Sequence, residues 1–89
     1  MINILKTSKY ERERNKFAKG NSKAADALIK TLEKFSSNPI HPSLNLEKLK
    51  GSKIWTIRID KGNRIFFSWI NNATALFLDV GKHDKYRKY

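Results

Sequence analysis

Apolar positions recur at two different periods along this chain, near 3.6 in the first half and 2 in the last third, which predicts an α+β domain. Ile2 and Ile4 alternate with Asn3 in a short N-terminal strand. From Tyr10 to Lys19, Tyr10, Glu13 or Arg14, and Phe17 share one helical stripe, and Gly20 supplies a left-handed stop. Asn21 or Ser22 then caps a second helix, whose apolar face is Ala25, Leu28, Ile29, Leu32 and Phe35. So short a joint makes the two helices antiparallel. The segment SSNPIHPSLN carries two prolines and reads as an ordered loop, after which Leu44, Leu46 and Leu49 begin another short strand before Gly51.

In WTIRID the odd residues Trp55, Ile57 and Ile59 are apolar, and in NRIFFSWI the consistent apolar set is Ile65, Phe67 and Trp69. A three-residue turn at Lys61, Gly62 and Asn63 keeps these sets on one face by pairing Asp60 with Arg64, Arg58 with Phe66, and Thr56 with Ser68. Asn71-Asn72 marks the next hairpin, in which Ile70 meets Ala73, Phe66 meets Phe77, Arg64 meets Asp79, and Leu76 and Leu78 join the core. The expected fold is thus a short N-terminal strand and two antiparallel helices packed on one face of a twisted antiparallel sheet. The opposite face carries Thr56, Arg58, Arg64, Phe66, Ser68, Phe77 and Asp79. Arg58 and Arg64 are then close enough to grip one phosphodiester.

Residues 1–89 form a single domain with one modest core, and no repeat or linker divides it. The absence of cysteine excludes disulfides and thiolate zinc sites. No apolar run is long enough to span a bilayer or to serve as a secretion signal, which implies a soluble, cytoplasmic protein with no membrane partner. The net charge of +11 changes the picture most, because it concentrates polyanions at the surface. From Lys48 onward ten basic residues face three acidic ones, so the excess leans toward the sheet. Lys48, Lys50, Lys53, Lys82, Lys85 and Arg87 are the candidate RNA contacts, with Phe66 as a stacking surface.

Arg58 has no acidic partner across from it and suits paired phosphate oxygens, whose extra charge in a pentacovalent transition state a guanidinium stabilises. Arg64 reads equally as a phosphate ligand or as the centre of a salt-bridge network with Asp60 and Asp79. His41 and His83 lie outside the regular elements, and two imidazoles are a side-chain chemistry suited to a general base and acid pair. A loop histidine such as His41 is also consistent with an ordinary surface residue. Tyr86 lies in the basic, aromatic tail KHDKYRKY. Two histidines without cysteine leave too few ligands for a transition-metal centre, so no metal or cofactor is expected.

At these residues, in LKGSKIWTIRI, GNRIFFSW and LFLDVGKHDKY, the chain resembles the RelE/ParE superfamily of toxins from type II toxin-antitoxin pairs. The likeness runs over nearly the whole chain and implies the RelE-like microbial RNase fold. It further implies a ribosome-dependent mRNA interferase, in which a ribose 2′-OH attacks the adjacent phosphate without metal. Arg58 and Arg64 then stabilise charge, His83 or Tyr86 aids the leaving oxygen, and His41 stands where some members place a Glu or His. The implied partners are a cognate antitoxin and mRNA in the ribosomal A site. Thr56 replaces a lysine of some relatives, and the longer C-terminal helix of others is missing. Two further functions remain open on this resemblance: the gyrase-inhibiting ParE-like branch, and an RNA-binding module without chemistry.

Overall fold

The computed structural model describes residues 1–88, with side chains through residue 85. Strand β1 (Asn3–Lys6) leads into helices α1 (Ser8–Ala18) and α2 (Ser22–Ser37). A 3-10 segment (Pro42–Leu44) and four strands follow: β2 (Glu47–Lys48), β3 (Trp55–Arg58), β4 (Asn63–Asn71) and β5 (Thr74–Lys82). A second 3-10 segment spans His83–Lys88. The five strands form one sheet in the order β1-β5-β4-β3-β2. It is antiparallel except at β1, which runs parallel to β5.

Thr7 explains why α1 starts where it does. Its Oγ1 accepts the Tyr10 N–H at 3.0 Å and donates to the Phe77 carbonyl at 3.0 Å, so one hydroxyl caps the helix and pins it to β5. Gly20, at φ +65°, ends the α1 turn, and Asn21 Oδ1 caps α2 by accepting the Ala24 N–H. Of the expected α2 face, Leu28 and Phe35 are buried, whereas Ile29 is 56% exposed and Thr31 lies inward instead. Thr31 satisfies its hydroxyl on the Ala27 carbonyl one turn back, which lets it sit in the core. Leu44 is buried within the first 3-10 segment rather than in a strand.

The core lies between the helices and the odd-numbered face of β3 and β4. Phe35 is its hub, with ring centroids 5.1 Å from Phe67, 5.7 Å from Trp69 and 5.7 Å from Phe77. Tyr10 meets Phe77 edge-on. Among the described residues its buried hydroxyl has no hydrogen-bond partner. Burial pushes the Tyr10 pKa up to about 12 against the opposing charge of Arg14. A raised pKa means that this group's contribution to stability is intact below its unfolded value near 10 and is lost as pH rises toward 12. Tyr10→Phe is therefore expected to hold or gain about 1 kcal/mol at pH 8. In urea unfolding it should also lose less stability than the wild type at pH 11.

Both hairpins differ in register from the sequence expectation. In the first, Arg58 pairs with Arg64 and Thr56 with Phe66, two residues from the expected register. The cause is Asp60, whose Oδ1 accepts the Gly62 and Asn63 N–H groups at 3.0 Å each, so the reversal occupies residues 59–63. A two-residue shift keeps every side chain on its face. In the second hairpin Asn71 pairs with Thr74, and its Oδ1 accepts the Ala73 N–H, so Asn71 precedes the turn instead of forming it. That pairing lies two residues from the expected one, and a bulge at Ile70, between Trp69 and Asn71, cuts the shift to one along the rest of the strand, which turns Phe77 into the core beside Phe67 and leaves Leu76 and Leu78 only half-buried. A bulge between Phe66 and Phe67 then adds a residue on β5, so Asp79 stands opposite Phe66 and Gly81 opposite Arg64.

Candidate functional site

The face turned away from the core carries two adjacent cross-strand rows. One is Glu47, Thr56, Phe66 and Asp79; the next is Arg58, Arg64 and Gly81. Directly opposed residues of an antiparallel pair have Cβ atoms about 5 Å apart, and like charges placed there repel. Arg58 is exposed and Arg64 half-buried. Among the described residues neither guanidinium meets a carboxylate: Arg64 Nη1 donates to the Asp60 and Asn63 carbonyls, both at 3.1 Å. The expected network with Asp60 and Asp79 is thus absent. Asp60 spends its carboxylate on its own turn, and Asp79 holds Lys85 at 3.0 Å and Lys9 at 3.4 Å. Two uncompensated guanidinium groups side by side form a site that an anion stabilises.

The turn built by Asp60 organises this end of the sheet. Its carbonyls orient Arg64, and the Gly62 carbonyl accepts the His83 N–H at 3.0 Å. Arg58, Arg64 and the exposed His83 are therefore gathered around one loop. His41 is elsewhere. It follows α2, whose Ser36 carbonyl accepts the Ile2 N–H at the start of β1, level with the opposite end of β5. Its Nδ1 lies 3.1 Å from the Ser43 N–H and 2.9 Å from Ser43 Oγ, which makes it the cap of a 3-10 segment.

Lys48, Lys50 and Lys53 are exposed on β2 and the loop before β3. They flank the Trp55 end of β3, about 10 Å from Arg58 at 3.3 Å per residue. Lys82 is exposed opposite Asn63, beside His83. Phe66 is fully buried outside the main core cluster and presents no ring surface to a base. Lys85 is an internal residue, since its ammonium contacts Glu13, Asp79 and the Val80 carbonyl. The side chains of Tyr86 and Arg87 lie outside the described residues. Sequence reasoning missed Glu47, an exposed carboxylate on the arginine face, opposite Thr56 and diagonal to Arg58. Its sequence signals were a polar residue between Leu46 and Lys48 and the Glu that some members of the resembled family carry in this region, a place given instead to His41.

No protein-family model matches the chain, and no curated protein matches it by sequence. Solved structures do match. A metal-bound toxin from Helicobacter pylori superposes with a TM-score of 0.75 at 17% identity, over 96% of this chain and 98% of that one. A YoeB/ParE toxin from Agrobacterium tumefaciens gives 0.75 at 13% identity, over 92% and 99%. The chain has the RelE/ParE toxin fold. The E. coli DinJ-YafQ toxin-antitoxin complex adds a third match, with a TM-score of 0.74 at 15% identity over 94% of each chain. Within the RelE/ParE fold of this chain, no helix among the described residues is long and apolar enough to cross a membrane.

Proposed function

We propose that this chain is the toxin of a type II toxin-antitoxin pair and cleaves mRNA in the ribosomal A site. The observation that carries the reading is the opposed pair Arg58 and Arg64, which meets no carboxylate among the described residues although the pairing disfavours the unliganded fold. A phosphodiester placed between them relieves that repulsion, and the relief grows as charge accumulates in the pentacovalent transition state. Glu47 and His83 flank the pair from β2 and from the end of β5. In this reading Glu47 accepts the 2′-OH proton as the 2′ oxygen bonds to phosphorus. His83 gives a proton to the departing 5′ oxygen as the P–O bond breaks, leaving a 2′,3′-cyclic phosphate and a 5′-hydroxyl. No metal takes part in this step.

The exposed Lys48, Lys50, Lys53 and Lys82 extend the positive surface along the RNA, and the +11 charge supplies long-range attraction. The same charge suits an acidic antitoxin as the cognate partner. A cell-free translation system tests the proposal. Message cut at the ribosomal A site, with cyclic-phosphate ends, supports it. Intact message together with inhibition of DNA supercoiling overturns it in favour of a topoisomerase inhibitor.

A further inference from the structure

The 3-10 segment His83–Lys88 leaves the sheet immediately after β5 and pairs with no strand. A hydrogen bond from the His83 N–H to the Gly62 carbonyl ties its first residue to the sheet. One such bond near the surface opens readily, so holding an imidazole against Arg64 requires a second attachment. Lys85 provides one. Its Nζ lies 2.8 Å from Glu13 Oε1 on α1, 3.0 Å from Asp79 Oδ1 on β5 and 3.2 Å from the Val80 carbonyl. These contacts use all three donors of the ammonium. Asp79 is fully buried, accepts the Val80 N–H at 2.8 Å and is also bridged by Lys9 of α1.

Gly81 makes this path possible. A Cβ at Gly81 would stand 2.7 Å from Lys85 Cε and 3.1 Å from Cδ, so the lysine arm lies across the bare backbone of the residue opposite Arg64. Its positive charge is answered by two carboxylates and does not add to the arginine pair. Burial draws the Lys85 pKa down, but the hydrogen bonds and charges of Glu13 and Asp79 outweigh it and leave the pKa above the ordinary lysine value. The Lys85 hydrogen bond in turn holds the Glu13 pKa below the usual carboxylate range. Both ions are therefore charged at neutral pH, and the partly buried contact is screened less by salt than a surface pair.

We propose that Lys85 is a positioning residue, clamping the segment that carries His83 between α1 and β5 through Glu13 and the buried Asp79. Its consequence for catalysis rests on the RNA-cleaving reading above; the clamp itself does not. Three variants loosen it differently. Lys85→Met removes the ammonium and leaves Asp79 with Lys9. Glu13→Gln weakens the α1 tether while Asp79 stays paired. Gly81→Ala displaces the lysine arm without changing any charge, and at φ +155° it also strains the β5 backbone there.

Amide hydrogen exchange and steady-state cleavage of ribosome-bound mRNA test the proposal together. All three variants are expected to speed exchange at residues 83–85 about tenfold or more while the β4 amides keep wild-type protection. Each is also expected to lower kcat about 10- to 100-fold at unchanged KM, because the misplaced group is His83 and not an RNA contact. A phosphate-binding Lys85 would give the reverse, raised KM for Lys85→Met with wild-type exchange, and would overturn the clamp. If the wild-type protein leaves mRNA intact, the cleavage reading fails, and the exchange rates still decide whether the clamp exists.

Discussion

Arg64→Ala is expected to lower the rate of ribosome-dependent mRNA cleavage by about 10²- to 10³-fold, the loss typical of removing one transition-state charge donor. The fold should remain intact. The two carbonyls that Arg64 Nη1 serves, those of Asp60 and Asn63, belong to an exposed loop and pass to water when the side chain is removed. No salt bridge among the described residues is broken. Removing one member of an opposed like-charged pair also relieves a repulsion of about 0.2–1 kcal/mol. Arg58→Ala, which breaks no side-chain hydrogen bond among the described residues, should therefore melt at or above the wild-type temperature while losing comparable activity. Thermal denaturation with and without sulfate provides the check: the anion should raise the wild-type midpoint more than that of either variant. A variant that unfolds, or that cleaves message at the wild-type rate, removes the arginine pair from the mechanism.

The arginine pair was legible in the sequence because its placement depends on parity alone. Asp60 moved the first hairpin by two residues, and a shift of two leaves Arg58 and Arg64 on the same face while changing their partners. The second hairpin moved by one, which parity does not survive. Asn71 can form a turn or cap it; here it takes the Ala73 N–H, and the bulge at Ile70 beside it exchanged Phe77 for Leu76 and Leu78 in the core. Local side-chain-to-backbone bonds of this kind compete with the turn types that residue preference suggests. On α2 the periodicity found Leu28 and Phe35, and failed only at Ile29, which lies at the edge of the stripe, where Thr31 substitutes by bonding its own helix.

The supports of the site were not legible for a different reason. Lys85 and Glu13 are 72 positions apart, and nothing local distinguishes Lys85 from Lys82 in a basic tail. Their meeting depends on α1 lying beside β5 beyond the end of β1, a tertiary fact fixed by Thr7 and Tyr10. Phe66 illustrates the same limit. Alternation put it on the open face correctly, yet burial depends on what else covers that face.

Phe35→Ala carries the largest expected stability effect. Phe35 is fully buried and its ring meets Phe67, Trp69 and Phe77, so truncation leaves a cavity at the point where α2 rests on β4 and β5. Phe-to-Ala changes in such positions cost about 3–5 kcal/mol. A domain of this size holds only about 4–13 kcal/mol in all. The melting midpoint should fall by on the order of 20 °C, and a measurable fraction should be unfolded at 37 °C. β4 supplies Arg64, and β5 supplies the approach to His83, so activity falls with the folded population. This loss differs in kind from that of Arg64→Ala. At a temperature where Phe35→Ala is fully folded by circular dichroism, its kcat should return to within about twofold of wild type, whereas Arg64→Ala stays inactive at every temperature. A midpoint lowered by less than about 5 °C would mean that the aromatic cluster repacks around the cavity, and that the sheet does not depend on α2 for its shape.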